Sequence, residues 1–160
     1  MQIRKAEKAD LENILAIYKK ARAFMAANGN PNQWGNNKPA KEQIEDDIEK
    51  GKSYVCVSEN GVAAVFYFAV EADPTYSVIE GEWINDLPYG VVHRIASAEK
   101  GAGSFCLNWA YSQCHNVRID THENNLPMQN LLKKLGFSLC GTIIINDGTP
   151  RIAFQKYQTN

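Results

Sequence analysis

Hydrophobic residues recur along this chain with two different spacings, and the change from one spacing to the other divides the chain into predicted elements. Apolar residues three and four positions apart predict helices, and apolar residues at alternate positions predict strands. The predicted elements are, in chain order, a strand over 2–6, helices over 11–25 and 41–50, strands over 53–58, 62–71, 77–83 and 89–97, a helix over 104–114, a strand over 117–122, a helix over 126–135, and a closing hairpin of 143–146 with 151–156.

The order of these elements predicts a mixed α/β (α+β) fold. We expect one sheet of about six to seven mostly antiparallel strands, with helices on both faces. Asn60-Gly61, between two predicted strands, is a strong hairpin signal. The clear parallel pair is 89–97 with 117–122, which the helix over 104–114 joins in a right-handed crossover.

The length and net charge of the chain indicate how many domains it forms and which partners it is expected to lack. At 160 residues the chain has the size of one domain, and we expect residues 1–160 to form a single domain. Seventeen basic and eighteen acidic residues give 17 − 18 = −1 with no basic run, so we expect no nucleic-acid partner. The apolar stretch 62–70 is too short to span a bilayer and the start shows no signal core, so we expect a cytoplasmic protein without a membrane partner.

The cysteines predict reduced, packed thiols. They have neither the close spacing of zinc ligands nor the density of a disulfide framework, so we expect no metal. The four cysteines are Cys56, Cys106, Cys114 and Cys140.

Two glycines, Gly101 and Gly103, stand where a predicted strand gives way to a helix. At such a junction several backbone N–H groups and the positive end of the helix converge on one anion, and a pyrophosphate fits there. The same glycines also suit an ordinary tight turn, because glycine adopts positive φ easily. A P-loop is disfavoured, since no Gly-Lys-Ser/Thr sequence follows.

The strand over 117–122 has two different faces. Alternation places one set of side chains in the core and directs the other set into a groove. The first face carries Val117, Ile119 and Thr121, and the second carries Arg118, Asp120 and His122. The helix that follows has Asn124 and Asn125 as caps, Pro127 in its first turn and Gly136 at its end.

These segments resemble the core of the GNAT superfamily of acetyl-CoA-dependent N-acetyltransferases. The resemblance is carried by residues 93–110, HRIASAEKGAGSFCLNWA, and 119–137, IDTHENNLPMQNLLKKLGF. Its most specific part is the helix pattern Asn-x-x-apolar-x-x-Leu-x-x-Lys-x-Gly-Phe, which runs here from Asn125 to Phe137. The rest of the chain is similar in the order of its elements.

The resemblance implies that the two parallel strands splay apart, and that the pantetheine arm of acetyl-CoA, the implied co-substrate, enters the gap as a surrogate strand. The cofactor-binding residues that it implies are the backbone of Ile95, Ala96 and Ser97, the loop residues Lys100, Gly101, Ala102, Gly103 and Ser104, and the helix residues Asn125, Met128 and Lys134.

Two positions depart from the family pattern. Ala98 replaces the first polar residue of the loop, which leaves cofactor binding to the backbone amides. Leu132 stands where many members have the tyrosine that protonates the leaving thiolate. This second departure motivates an alternative hypothesis, a non-catalytic acyl-CoA-binding module with the same fold.

Asp120 is the leading candidate for the general base, at the strand position where relatives often carry a glutamate. The pKa of an exposed aspartate is about 3.9. To act as a general base, Asp120 therefore needs burial, which raises the pKa of a carboxyl group, or a water relay. The alternative role is an ion pair with Arg94 or Arg118. His122 is a second catalytic candidate, or else a structural histidine at a strand end. We expect His93 and Arg94 to pack and pair rather than catalyse.

The implied activity is direct transfer of an acetyl group to a primary amine of a small molecule or peptide. Trp34, Glu82 and Asp120 are candidate acceptor-binding residues. Trp34 alternatively packs the first helix against the sheet, and Glu82 alternatively belongs to a solvated surface. The identity of the acceptor stays open, as does the oligomeric state, with a homodimer as one option.

Overall fold

The computed structural model describes residues 1–158, which form an eight-stranded sheet and four α-helices within that range. The strands are β1 (Gln2–Lys5), β2 (Ser53–Ser58), β3 (Gly61–Val70), β4 (Glu80–Gly81), β5 (Gly90–Ser97), β6 (Asn116–Thr121), β7 (Ser138–Ile144) and β8 (Pro150–Tyr157). The helices are α1 (Leu11–Ala27), α2 (Lys41–Glu49), α3 (Ala102–Cys114) and α4 (Leu126–Lys134). These bounds confirm most of the predicted elements to within a few residues.

The strands lie in the order β1-β2-β3-β5-β6-β8-β7-β4. Every neighbouring pair is antiparallel except β5 and β6, which run parallel. The predicted mixed, mostly antiparallel sheet is therefore confirmed. Its size is corrected to eight strands, with the two-residue strand β4 at the edge, where it pairs with β7.

The parallel strands β5 and β6 pair only at their beginnings. Gly90 lies opposite Val117 and Val91 opposite Arg118, and the later residues of the two strands, within the described chain, form no further pairs with each other. A β-bulge in β5 accompanies this divergence, since the register with β3 shifts near Arg94, whose φ is +50°. A bulge inserts one extra residue and bends its strand. The splayed pair implied by the resemblance is therefore present.

Helices cover both faces of the sheet. α1 and α2 pack on one face, which we call the front face, and α3 and α4 pack on the other, which we call the back face. The front core includes Ile14, Tyr18, Ile44, Val55, Val65 and Ala96. The back core includes Phe66, Val92, Leu107, Ala110, Ile119 and Leu132. A third apolar cluster, on the front face beyond β5, consists of Tyr76, Tyr89, Val91, Ile143 and Ala153.

Residues 77–83, predicted as a strand, contribute only the two residues of β4. A short 3₁₀ turn, Pro74–Tyr76, precedes the segment, and there the Asp73 carboxylate accepts a hydrogen bond from the Thr75 N–H at 2.9 Å. The Trp83 indole then donates to the Tyr76 carbonyl at 3.0 Å. These bonds fold the segment over Tyr76 rather than along the sheet.

The prediction for β7 was too short, because the strand already begins at Ser138. Gly141 lies inside it with a φ of +155°, next to a register shift. A Cβ at Gly81, on the neighbouring strand, would lie 2.3 Å from the Cys140 carbonyl oxygen. The two strands approach this closely only because both positions are glycine.

Candidate active site

The gap between β5 and β6 opens into a cleft of about 980 Å³. This volume lies at the upper end of the range of small-molecule and cofactor sites. The residues that line the cleft come from both faces of the sheet. We call the part next to α3 and α4 the back half, and the part next to α1 and the α1–α2 loop the front half.

The glycine loop lies at the back half, where β5 leads into α3. Gly101 has a φ of +85°, and a Cβ built there meets no atom within 4 Å, so this glycine borders open space. The first N–H groups of an α-helix have no partner inside the helix, and those of α3 begin here. Lys100, Gly103 and Ser104 also line the cleft. This geometry suits a phosphate group.

Ala102, predicted in the same loop, does not line the cleft. Its side chain is fully buried in the back core, and its N–H donates to the Glu99 carbonyl at 3.1 Å. The first turn of α3 points this residue inward, so its amide is already engaged. This corrects the prediction for one of the loop amides.

The second half of β5 supplies one wall of the cleft. Ile95, Ala96 and Ser97 line it. Ala96 and Ser97 pair with β3 on one side, while β6 has already turned away on the other. The strand therefore offers an unpaired backbone edge to a bound ligand.

The first turn of α4 reaches the cleft and the last turn does not. Asn125 and Met128 line the cleft, and the Asn125 side chain accepts a hydrogen bond from the Met128 N–H at 3.2 Å. Asn125 also donates to Gln33 Oε1 at 3.0 Å, which ties the α1–α2 loop to this helix. Lys134 is exposed and outside the cleft, because it lies six residues, about 9 Å along the axis, beyond Met128. Lys134 is therefore not part of the cleft wall.

Asp120 faces the front half of the cleft, as strand alternation predicts. Its side chain is 14% exposed, and its Oδ1 accepts a hydrogen bond from the Tyr76 hydroxyl at 2.5 Å. The suggested ion pairs are absent in the described chain: Arg94 pairs with Asp47, and Arg118 lies over aromatic rings. The Tyr76 hydroxyl thus orients Asp120. No arginine pairs with Asp120 in the described chain, and its carboxylate faces the cleft.

Asp73, Tyr76 and His93 are neighbours of Asp120 that the sequence did not indicate. His93 Nδ1 lies 4.0 Å from Asp120 Oδ1, and His93 Nε2 donates to Asp73 Oδ2 at 2.6 Å. Burial alone would raise the pKa of the Asp73 carboxyl, but hydrogen bonds from His93 and Thr75 outweigh it and lower that pKa. Burial, followed by the charge of Asp120, raises the pKa of the Tyr76 hydroxyl well above its usual value. Tyr76 therefore stays protonated and donates to Asp120 at neutral pH.

No protein-family model matches this chain, and a search of curated proteins finds no match either. Among solved structures, an acetyltransferase of the GNAT family from Streptococcus agalactiae 2603 is 30% identical; the alignment covers 99% of this chain and 96% of that chain, with a TM-score of 0.84. The chain belongs to the GNAT acetyltransferase family.

Two further solved structures share the fold of this GNAT protein at lower identity. A ribosomal-protein-alanine N-acetyltransferase from Brucella melitensis is 18% identical over 99% of this chain and 100% of that chain, with a TM-score of 0.67. An acetyltransferase from Salmonella typhimurium, solved with its cofactor acetyl-CoA, is 16% identical over 99% of this chain and 95% of that chain, with a TM-score of 0.65.

His122, the second catalytic candidate, does not line the cleft of this GNAT protein. β6 ends at Thr121, so strand alternation no longer directs the next side chain. His122 Nδ1 instead accepts a hydrogen bond from the Asn124 N–H at 3.0 Å. Burial, followed by the charge of Arg151, lowers the pKa of the His122 ring. These contacts favour the alternative role, that of a structural histidine.

Of the three predicted acceptor-binding residues, Trp34 and Asp120 line the cleft and Glu82 does not. Glu82 is exposed and outside the cleft, because it follows β4 at the far edge of the sheet. Trp34 lines the cleft and also packs edge-on against Tyr18 of α1, at 5.5 Å between ring centroids, so its position is compatible with both suggested roles. The position of Glu82 therefore gives no support to acceptor recognition by this residue.

Leu132 is fully buried in the back core. The position at which many GNAT members have a tyrosine acid is thus a packing position in this chain. Hydroxyl groups do line the cleft elsewhere, at Thr75, Ser97, Ser104 and Thr121.

Within residues 1–158, no helix is long and apolar enough to cross a membrane. No group of three or more His, Cys, Asp or Glu side chains in the same range is arranged to hold a metal ion.

Proposed function

We propose that this GNAT protein transfers an acetyl group from acetyl-CoA to a primary amine of a small molecule or peptide. One observation carries the proposal: the glycine loop and Asp120 open into the same cleft from opposite faces of the sheet. The gap between β5 and β6 connects them. A cofactor held at the back and an amine held at the front would meet in this gap.

The back half fits acetyl-CoA. The first N–H groups of α3 and the open space at Gly101 suit the pyrophosphate, and the unpaired edge of Ile95–Ser97 suits the amide groups of the pantetheine arm. When bound, acetyl-CoA supplies the thioester carbon that the amine attacks. The neighbour solved with acetyl-CoA supports this choice of co-substrate.

Asp120 is proposed to take the proton that the attacking amine must lose. An alkylamine is mostly protonated at neutral pH, since its pKa lies near about 10.4. The carboxylate lies in the cleft, and the hydrogen bond from Tyr76 fixes its orientation. The proton passes to Asp120 directly or through one water molecule.

The backbone of β5 is proposed to stabilise the negative charge that develops on the carbonyl oxygen. An N–H group within Ile95–Ser97 is fixed in place by the strand, so it does not have to reorganise during the reaction. A thiol with a pKa near about 8.5 is a tolerable leaving group without a dedicated acid. Solvent then protonates it, which is compatible with Leu132 in the core.

Release of free thiol tests the activity. Purified protein is mixed with acetyl-CoA and a panel of primary amines, and a disulfide reagent reports the free CoA. The proposal expects thiol release that requires both the protein and an amine. A reaction without amine measures simple hydrolysis and serves as the background.

The burial of Leu132 favours a second candidate, a module that binds acyl-CoA without turnover. That module would show a thermal shift with acetyl-CoA and no amine-dependent thiol release. The acetyltransferase would show both, so the two measurements together separate the candidates.

A further inference from the structure

Arg151 is a buried cation on the front half of the cleft. It is 6% exposed and lines the cleft at the beginning of β8. Among the residues that the structure describes, its guanidinium donates only to neutral oxygens: Thr149 Oγ1 at 3.1 Å, the Pro150 carbonyl at 3.2 Å and the Gln33 carbonyl at 3.1 Å. Over the described range 1–158, no carboxylate oxygen lies within 4.0 Å of it.

The half-buried Arg94 and the buried Arg118, on the neighbouring strands β5 and β6, have their charges compensated. Arg94 forms an ion pair with Asp47 at 2.9 Å, and the Arg118 guanidinium lies 4.2 Å and 4.0 Å from the ring centroids of Trp83 and Tyr89. Arg151 has neither kind of partner among the residues that the structure describes. A buried charge without a counter-charge is costly to keep.

Part of the Arg151 guanidinium is also free to bind. An arginine has five N–H donors, and two on Nη1 and one on Nη2 are used. The Nε–H and the second Nη2–H are left, on nitrogens bonded to the same carbon. Two such donors match the two oxygens of a carboxylate.

Asp147 also lines the cleft, but among the described residues 1–158 no salt bridge joins it to Arg151. Hydrogen bonds from the Thr149 N–H and hydroxyl lower the pKa of the Asp147 carboxyl most, and both bonds end on Oδ1. The Asp147 side chain is exposed.

The position of Arg151 relative to Asp120 decides what it would bind. β8 pairs with β6 so that Ala153 lies opposite Asp120, which places Asp120 and Arg151 diagonally on the front face. Diagonal neighbours are about 7–8 Å apart. The glycine loop lies on the back face, so the anion at Arg151 is not the pyrophosphate.

We propose that Arg151 binds a carboxylate of the acceptor while Asp120 receives the proton of its amine. The acceptor is then an amino acid, or another small molecule with a carboxylate a few bonds from its amine. A peptide N-terminus does not fit, because its nearest backbone carboxyl is an amide. This inference rests on the proposed acetyl transfer and names its substrate class.

The test compares matched acceptors. Wild-type protein is assayed by thiol release with each common L-amino acid, its α-amide and its decarboxylated amine. We expect the acid to be preferred by about 10- to 100-fold in kcat/KM, mostly through KM, as for a charged hydrogen-bonded pair. If amides or amines react as well as the acids, or better, when rates are compared at equal concentrations of unprotonated amine, the proposal is overturned while the proposed acetyl transfer stands.

Variants of Arg151 show whether this residue causes the preference for the acid. Arg151→Gln should remove the preference for the acid and leave the amide and the amine unchanged, and Arg151→Lys should restore part of it. Lys38→Gln, which removes an exposed cation from the same cleft, is the matched control and should keep the preference. Because wild type and variant are compared on the same acceptor, differences in amine pKa cancel. Equal losses on all three acceptors would mean a structural role and would contradict the proposal.

A binding measurement keeps the inference independent of turnover. Thermal shifts of the protein with CoA are recorded with each acid and each amide. The proposal expects a shift for at least one acid that its amide does not give and that Arg151→Gln abolishes. No such difference overturns the inference, whether or not thiol release occurs; absence of thiol release with every amine overturns the proposed function separately.

Discussion

The back half of the cleft consists mainly of backbone groups, whereas the front half consists mainly of side chains. The back half uses one continuous stretch, 95–104, and the first turn of α4, and it offers mainly backbone N–H groups. The front half uses side chains from segments far apart in the chain: Trp34, His93, Asp120 and Arg151 line it, and Asp73 supports His93 from behind. A backbone site depends on the path of the chain, whereas a side-chain site depends on residue identity.

This difference separates two kinds of effect. Changes at the back half should act on acetyl-CoA affinity, and changes at the front half should act on turnover and on the choice of acceptor. Each of the following experiments probes one half, and together they show whether the separation holds.

Asp120→Asn is expected to have the largest effect. Loss of a general base costs about 10²- to 10⁴-fold, and a water-relayed base lies toward the lower end. The loss in kcat/KM should shrink as pH rises, because more of the acceptor amine is already deprotonated. The measurement is thiol release against pH, with Glu82→Gln as the control carboxylate outside the cleft. Equal rates for wild type and Asp120→Asn at every pH would remove Asp120 from catalysis.

Gly101→Asp should weaken acetyl-CoA binding by more than about tenfold, because a negative charge would stand where the pyrophosphate is proposed to bind. Gly101→Asn is the matched control, since Asn has the same shape without the charge and also tolerates positive φ. Acetyl-CoA should raise the melting temperature of wild type and, less strongly, of Gly101→Asn. A wild-type thermal shift in Gly101→Asp would mean that the loop assignment is wrong.

Tyr76→Phe should have a moderate effect. It removes the hydroxyl that orients Asp120, a hydrogen bond of about 0.5–1.5 kcal/mol, so kcat should fall by up to roughly tenfold. The KM for acetyl-CoA should not change. Tyr67→Phe is the control, because its hydroxyl bonds to Glu71 instead. A rise in the KM for acetyl-CoA without a change in kcat would mean that Tyr76 acts on cofactor binding, and it would contradict the role of Tyr76 in orienting Asp120.

His122→Asn should have the smallest effect, on stability alone. The folded-state pKa of His122 is lowered below its usual 6.5, so the folded protein binds fewer protons than the unfolded chain between the two values. Stability therefore rises with pH through this window and is lost as pH falls through the folded-state pKa. In urea unfolding, His122→Asn should flatten this dependence.

The matched control for that series is His115→Asn. His115 is exposed and has a φ of +58°, a conformation that Asn tolerates. It should keep the wild-type pH dependence of stability. An unchanged pH dependence in His122→Asn would contradict the structural role of that ring.

The back half could be predicted from the sequence because its signals are local. Glycines at a strand-to-helix junction, and an asparagine cap with a proline and a closing glycine, each occupy a short stretch. The structure keeps all of these features. Alternation within β6 also placed Asp120 in the groove correctly.

The front half could not be predicted, because its signals are not local. Arg151 comes next to Asp120 only through the pairing of β8 with β6. The bulge in β5 puts His93 and Arg94 both toward the front face, with Asp73 and Asp47 as their partners, which simple alternation forbids. His122 does not line the cleft for a related reason: β6 ends at Thr121, one residue before it.

Calorimetric titration of acetyl-CoA into wild type and Asp120→Asn tests the central claim, that the two halves of the cleft have separate functions, most directly. Both proteins should fold, since the substitution keeps the size of the side chain. The account predicts the same Kd for both proteins, although the variant has lost most of its thiol release. A Kd that weakens in proportion to the lost rate would place Asp120 in cofactor binding and contradict the separation.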